Sequence, residues 1–119
     1  MSRTFDNFLD GRMKLIQPST GYRAGIDPLF LSASLHPKAD DKILDVGCGV
    51  GTAAIALAYR CPHVTITGIE IQENLVELAL MNLQENAVTE RVEVHLGDIL
   101  SPPAFFKPHT FDHVMTNPP

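Results

Sequence analysis

An open α/β fold, a parallel sheet layered with helices, is what this sequence predicts, and three observations predict it. Short apolar runs at residues 42–46, 64–69, 91–96 and 111–116 have the length and the aliphatic or β-branched content of buried strands. Helical patterns at 52–59 and 73–86 alternate with the first three runs, the arrangement that produces a parallel sheet. Each run closes on a polar residue, Asp45, Glu70, Asp98 and Asn117 in turn. Right-handed crossovers bring the ends of parallel strands to one edge, so these four side chains are expected along a single crevice, where open sheets of this kind bind ligands.

The chain preceding the sheet reads as a hairpin followed by a helix. Residues 5–18 contain the Asp10-Gly11 step, a strong short-range hairpin signal, with Met13 and Leu15 on one parity of a strand. Residues 21–25 read as loop. Asp27-Pro28 then opens a helix, Asp as N-cap and Pro at the first helical position, which runs to about residue 36 with Leu29, Phe30, Ala33 and Leu35 as its expected core face. His36-Pro37 ends it, because proline restricts the residue before it.

The first strand of the sheet runs into Asp45-Val46-Gly47-Cys48-Gly49-Val50-Gly51-Thr52. Glycine at alternate positions permits positive φ and leaves main-chain N–H groups unshielded. The following helix is rich in alanine (Ala53, Ala54, Ala56, Ala58), which suits close packing on a sheet, and Pro62 stops the segment. Val64 to Ile69 leads to Glu70. The next helix is amphipathic, with Leu75, Leu78, Ala79 and the Asn82-Leu83 turn spaced three and four apart. Val92, Val94 and Leu96 alternate along the third strand, and Gly97-Asp98 follows it.

Composition narrows the classes. At 119 residues the chain has the size of one folding unit, and its formal charge of −5 gives no global electrostatic footprint for nucleic acid. Residues 1–25 nonetheless hold Arg3, Arg12, Lys14 and Arg23 against Asp6 and Asp10, net +2, which leaves −7 on the remainder; a basic arm on an acidic body suits a polyanionic partner. Cys48 and Cys61 form no Cys-x-x-Cys pair, and no apolar run has membrane-spanning length, so a cytoplasmic protein without a membrane partner is expected. Cys61 is expected as a buried small hydrophobe and Cys48 as a compact loop residue. His109 and His113 stand four apart on a segment that is loop running into strand, which does not converge two ligands; no metal site is expected.

The glycine spacing and the charge beside it select the ligand. A dinucleotide fingerprint places its third glycine at 52, where this chain has Thr52; here the third glycine is Gly51. Asp45, two residues before the first glycine, repels a pyrophosphate and favours an ammonium group. S-adenosyl-L-methionine carries such a group beside its sulfonium, and its carboxylate suits the N–H groups that open the next helix.

Together Asp45 to Gly51, Glu70, Gly97-Asp98-Ile99 and Asn117-Pro118-Pro119 resemble the class I S-adenosylmethionine-dependent methyltransferases, over residue 42 to the C-terminus. The resemblance implies a Rossmann-like sheet and a set of roles. Asp45 would hold the methionine amino end, with Gly47, Gly49 and Gly51 letting the cofactor lie against the loop. Glu70 would grip both ribose hydroxyls, Asp98 would accept from the adenine amine, and Ile71 and Ile99 would wall the ring. Asn117 and Pro118 would be the catalytic acceptors for the N–H bonds of a planar amine, directing its lone pair toward the methyl group. In nucleic-acid substrates the base must first leave its stack.

Gln17 to Asp27 is similar to the segment preceding the core in bacterial tRNA adenine-N6 methyltransferases, which implies tRNA as substrate. On this reading residues 1–40 form a hairpin and helix covering the cofactor site. Residues 41–119 form a truncated core, with four strands where the family has seven. A fragment of that kind is expected to bind cofactor weakly, not to methylate, and to be open to self-association along its fourth strand. Three other readings stand beside it: a protein-glutamine N-methyltransferase, which shares Asn-Pro-Pro-aromatic, a non-catalytic RNA-binding module, and an NAD-linked oxidoreductase.

Overall fold

The computed structural model describes residues 2–19, 27–104, 106–107 and 110–116. The chain opens with an antiparallel hairpin, β1 (Arg3–Phe8) and β2 (Met13–Pro18), in register from Arg3 opposite Pro18 to Phe8 opposite Met13. Its turn puts Leu9, Asp10 and Gly11 at positive φ, with Gly11 N–H donating to the Phe8 carbonyl at 3.1 Å. The Asp10-Gly11 signal therefore marks the turn, because Asp and Gly tolerate the left-handed region better than other residues.

After α1 (Asp27–Ser34) come β3 (Lys42–Val46), α2 (Thr52–Arg60), β4 (Thr65–Glu70), α3 (Glu73–Glu85), β5 (Val92–Leu96) and β6 (His113–Thr116). The four later strands form one parallel sheet in the order β5-β4-β3-β6. From β3 the chain steps outward twice, through α2 and α3, and then returns to β3's other side as β6. The order reverses between β3 and β6, the switch point at which such sheets leave a crevice.

Both crossover helices lie on one face. There Ile43, Ile66, Val92 and Met115 pack with Ala54, Leu57, Ala79 and Leu83 in a single core cluster, which Met13 and Leu15 of the hairpin join. The four alanines of α2, the composition that suits close packing on a sheet, are all buried in this cluster. The opposite face carries Leu44 and Val114, and the connection from β5 lays Ile99, Pro102, Phe106 and Phe111 beside them. The outer edge of β6 has no strand partner among the described residues.

Three packing expectations need correction. In α1 the buried positions are Pro28 and Ser32, with Leu29, Leu31 and Leu35 partly buried against the core, while Phe30 is 63% exposed and Ala33 is also exposed. The helix lies on α2 rather than on the sheet, so its neighbour, not its own apolar spacing, sets the contact face. In β5, Val92 and Val94 are buried but Leu96 is half exposed, because the strand runs past the layer that covers it. Cys61 is only partly buried at the C-terminus of α2.

Candidate cofactor site

β3, β4 and β5 deliver Asp45, Glu70 and Asp98 to one edge of the sheet, as the strand pattern predicts. Asn117, Pro118 and the segment 20–26 lie outside the described residues. β6 ends at Thr116 beside Val46, its hydroxyl donating to the Val46 carbonyl at 3.1 Å.

The loop from Asp45 to α2 is held by main-chain bonds. The N–H groups of Gly47 and Cys48 both donate to the Ile69 carbonyl, at 2.8 and 3.1 Å, and Gly51 N–H donates to the Cys48 carbonyl at 3.0 Å. Three glycines take positive φ: Gly47 at 71°, Gly49 at 57° and Gly51 at 95°. L-residues resist that region, which is why the loop alternates glycine. At Gly47 no described atom beyond its own chain neighbours lies within 4 Å of where a β-carbon would project, so among the described residues the backbone there is open to a ligand.

Glu70 is held in place before any ligand arrives. One carboxylate oxygen accepts Gly49 N–H and the other accepts Gln72 N–H, both at 2.9 Å. A carboxylate oxygen has two acceptor sites, so each keeps one free for a hydroxyl. Around it, Val46, Gly47, Ile69, Glu70, Ile71, Gly97, Asp98 and Ile99 line a cavity of about 150 Å³. Five residues singled out from sequence thus meet in one cleft. Ile71 and Ile99 form its exposed rim. Asp98 also caps its own turn, one oxygen accepting Leu100 N–H at 2.9 Å.

Asp45 sits apart, in a small space of about 10 Å³ lined with Pro28, Gly47, Cys48, Val50, Thr52 and Ala53. It is 2% exposed, and its Oδ2 atom has no hydrogen-bond partner among the described residues. Burial, and secondarily repulsion from Glu70, raises its carboxyl to about 7. A buried carboxylate without a partner is unfavourable until a cation or donor reaches it. Burial, reinforced by the same two acids, also pushes the Cys48 thiol far up, so Cys48 is a packing residue; a β-carbon on Gly68 would stand 2.7 Å from its sulfur. His113 pairs with Asp41 at 2.9 Å, away from this edge. Among the described residues no three metal-ligating side chains cluster, and no helix is long and apolar enough to cross a membrane.

Two contributors escape a reading of the sequence. Pro28, which the sequence marks only as a helix start, walls the Asp45 space. Asn82, which it places among apolar positions of a helix face, donates to the Val50 carbonyl of the glycine loop at 3.0 Å. A polar residue in mid-helix on the buried face was the available signal.

A reversed-order parallel sheet with a glycine loop between two strand-end carboxylates defines a class that binds a small cofactor at its switch point. The profile of the methyltransferase small domain family matches residues 25–119, and the chain belongs to that family. It is 32% identical over 101 residues to the tRNA1(Val) (adenine(37)-N6)-methyltransferase of Vibrio campbellii, covering 84% of this chain and 41% of that protein. It is 36% identical over 84 residues to the ribosomal protein uL3 glutamine methyltransferase of Bradyrhizobium diazoefficiens, covering 71% and 25%. In fold it resembles a SAM-dependent methyltransferase from Thiobacillus denitrificans, solved in complex with S-adenosyl-L-homocysteine, with TM-score 0.62 and 22% identity over 75% of this chain and 34% of that one. The chain thus spans well under half the length of these relatives. S-adenosyl-L-methionine is its cofactor, and the residues present suit it: the partnerless Asp45 oxygen calls for a cationic donor, Gly47 is bare, and Glu70 is fixed by backbone donors with acceptor capacity to spare.

Proposed function

We propose that this chain is the cofactor-binding part of an enzyme that methylates the exocyclic N6 amine of an adenine in tRNA. The observation that carries the methyl-transfer reading is the buried Asp45 carboxyl at the switch point, its Oδ2 atom unpartnered among the described residues, beside the open Gly47 backbone. Asp45 takes the cofactor's ammonium, and Gly47, Gly49 and Gly51 give it a bare surface. Glu70 takes the ribose hydroxyls, and Asp98 with Ile71 and Ile99 takes the adenine. The cofactor supplies an electrophilic methyl group on a sulfonium. Asn117 and Pro118 accept the amine N–H bonds through the Asn side-chain oxygen and the Pro carbonyl, which fixes the lone pair's direction; positioning of this kind is the main source of rate.

The extent of the likenesses supports RNA. A match covering 84% of a 119-residue chain leaves about 19 residues unmatched, so it takes in most of residues 17–27, where the sequence is similar to tRNA enzymes. The basic N-terminal arm agrees. A second reading, methylation of a protein glutamine, is favoured by the higher identity to the uL3 enzyme. On either reading the 119-residue chain alone binds the cofactor weakly and does not turn over.

The test gives the longer protein that carries this chain tritiated S-adenosyl-L-methionine with unmethylated tRNA or with ribosomal protein. Label in N6-methyladenosine after nuclease digestion is the expected result. Label confined to protein glutamine establishes the second reading. Calorimetric binding of NAD with no binding of S-adenosylhomocysteine refutes both.

A further inference from the structure

The geometry points to Asn82 as the positioning residue of the glycine loop, tying that loop to the N-terminal hairpin through one buried carboxamide. The inference rests on the loop being the cofactor's cradle, and Asn82 itself touches no cofactor.

Asn82 is wholly buried in mid-α3. Its Oδ1 accepts Ile16 N–H at 2.6 Å and its Nδ2 donates to the Ile16 carbonyl at 3.0 Å. One turn later Asn86 repeats the pattern on Lys14, accepting its N–H at 3.0 Å and donating to its carbonyl at 2.7 Å. Helix residues four apart rise about 6 Å, and strand residues two apart rise about 6.6 Å. Two carboxamides on one helix face therefore match alternate peptide groups along β2, and α3 completes the strand's second edge as a neighbouring strand would.

Only Asn82 makes a further bond into the loop. Its second N–H donates to the Val50 carbonyl, the peptide oxygen between Gly49 and Gly51. Val50, Ile16, Leu75 and Leu78 enclose this contact in a cluster of their own, so water does not substitute for the amide. The Val50–Gly51 peptide precedes Gly51, whose φ of 95° starts α2. One side chain thus fixes both the seating of β2 and the orientation of the loop peptide. Aspartate, isosteric but without donors, keeps the Ile16 N–H bond and loses the other two.

The test compares Asn82→Asp with Asn86→Asp in the full chain. Both remove hairpin bonds, and only the first reaches the loop. Both are expected to lower the urea midpoint. Asn82→Asp is expected to weaken S-adenosylhomocysteine binding tenfold or more by calorimetry, while Asn86→Asp changes it less than twofold. Amide exchange of Gly51, measured without ligand, is expected to speed at least tenfold in Asn82→Asp only. Should Asn82→Asp fail to fold, Asn82→Ser replaces it with the same expectations. Equal affinity losses in the two variants, or unchanged Gly51 exchange in a folded Asn82 variant, overturn the inference. A wild-type chain that binds no S-adenosylhomocysteine refutes the cofactor reading instead, and the exchange measurement still decides the role of Asn82.

Discussion

Replacing Asp45 with asparagine separates what this carboxyl does for the fold from what it does for the ligand. Its pKa is about 7 in the folded chain against 3.8 ordinarily. Between those values the folded state binds a proton that the unfolded state does not, so stability falls as pH rises and levels off above 7. That difference corresponds to about 4 kcal/mol, lost by the wild-type chain between pH 4 and pH 8. The carboxamide of the Asp45→Asn variant never ionises, but once buried it retains an unsatisfied group worth about 1–3 kcal/mol. Asp45→Asn is therefore expected to be about 2 kcal/mol more stable than wild type at pH 8, close to a 1 M rise in urea midpoint, and no more stable at pH 5. Cofactor binding should move oppositely. An ammonium favours the ionised carboxylate, so S-adenosylhomocysteine affinity should rise about tenfold per pH unit up to 7 and then flatten. In Asp45→Asn it should be at least about 100-fold weaker, the loss expected when a buried charge partner is removed. Urea titrations and calorimetry from pH 5 to 8 measure both. Wild-type and variant stabilities running parallel across that range would refute the reasoning, as would undiminished affinity in the variant.

Gly47→Val places a β-branched side chain at a φ of 71° and into the open space above the loop. It should lower stability by about 1–2 kcal/mol and abolish S-adenosylhomocysteine binding in the same calorimetric assay. Gly68→Ala forces a β-carbon against the Cys48 sulfur, at 2.7 Å, and should lower stability by about 1–3 kcal/mol in urea unfolding. Adding Cys48→Ala should recover part of that loss, since the Cys48 β-carbon still lies 3.0 Å away; strict additivity of the two substitutions would contradict the packing. Iodoacetamide at pH 8 should label Cys61 in the native chain and reach Cys48 only on unfolding, as peptide mapping would show, because Cys48 is buried and its thiol is held protonated.

The positions of Asp45, Glu70 and Asp98 were legible because they depend on one-dimensional facts. Apolar runs of strand length alternate with helices, crossovers in parallel sheets have one hand, and a charged residue closing each run then has one edge to occupy. The contact face of α1 was not legible, since Leu29, Leu31 and Leu35 are as apolar as Phe30, and only the position of α2 decides which of them is covered. The end of β5 was hidden for the same reason: alternation marks Leu96 as inward, but the covering layer stops short of it.

By itself the sequence determined the α/β class, the strands and helices to within a residue or two, the glycine loop, and the acids at its edge. These follow from local periodicity and backbone chemistry, which each segment carries within itself. Only the tertiary structure decided that Asp45 is buried with its Oδ2 atom unpartnered among the described residues, that Glu70 is anchored by the N–H groups of Gly49 and Gln72, and that Asn82 joins Ile16 to Val50. Three of these bonds are given by backbone N–H groups, which every residue but proline has and no residue type announces. The bond from Asn82 to Ile16 joins positions 66 residues apart, a distance that periodicity does not span.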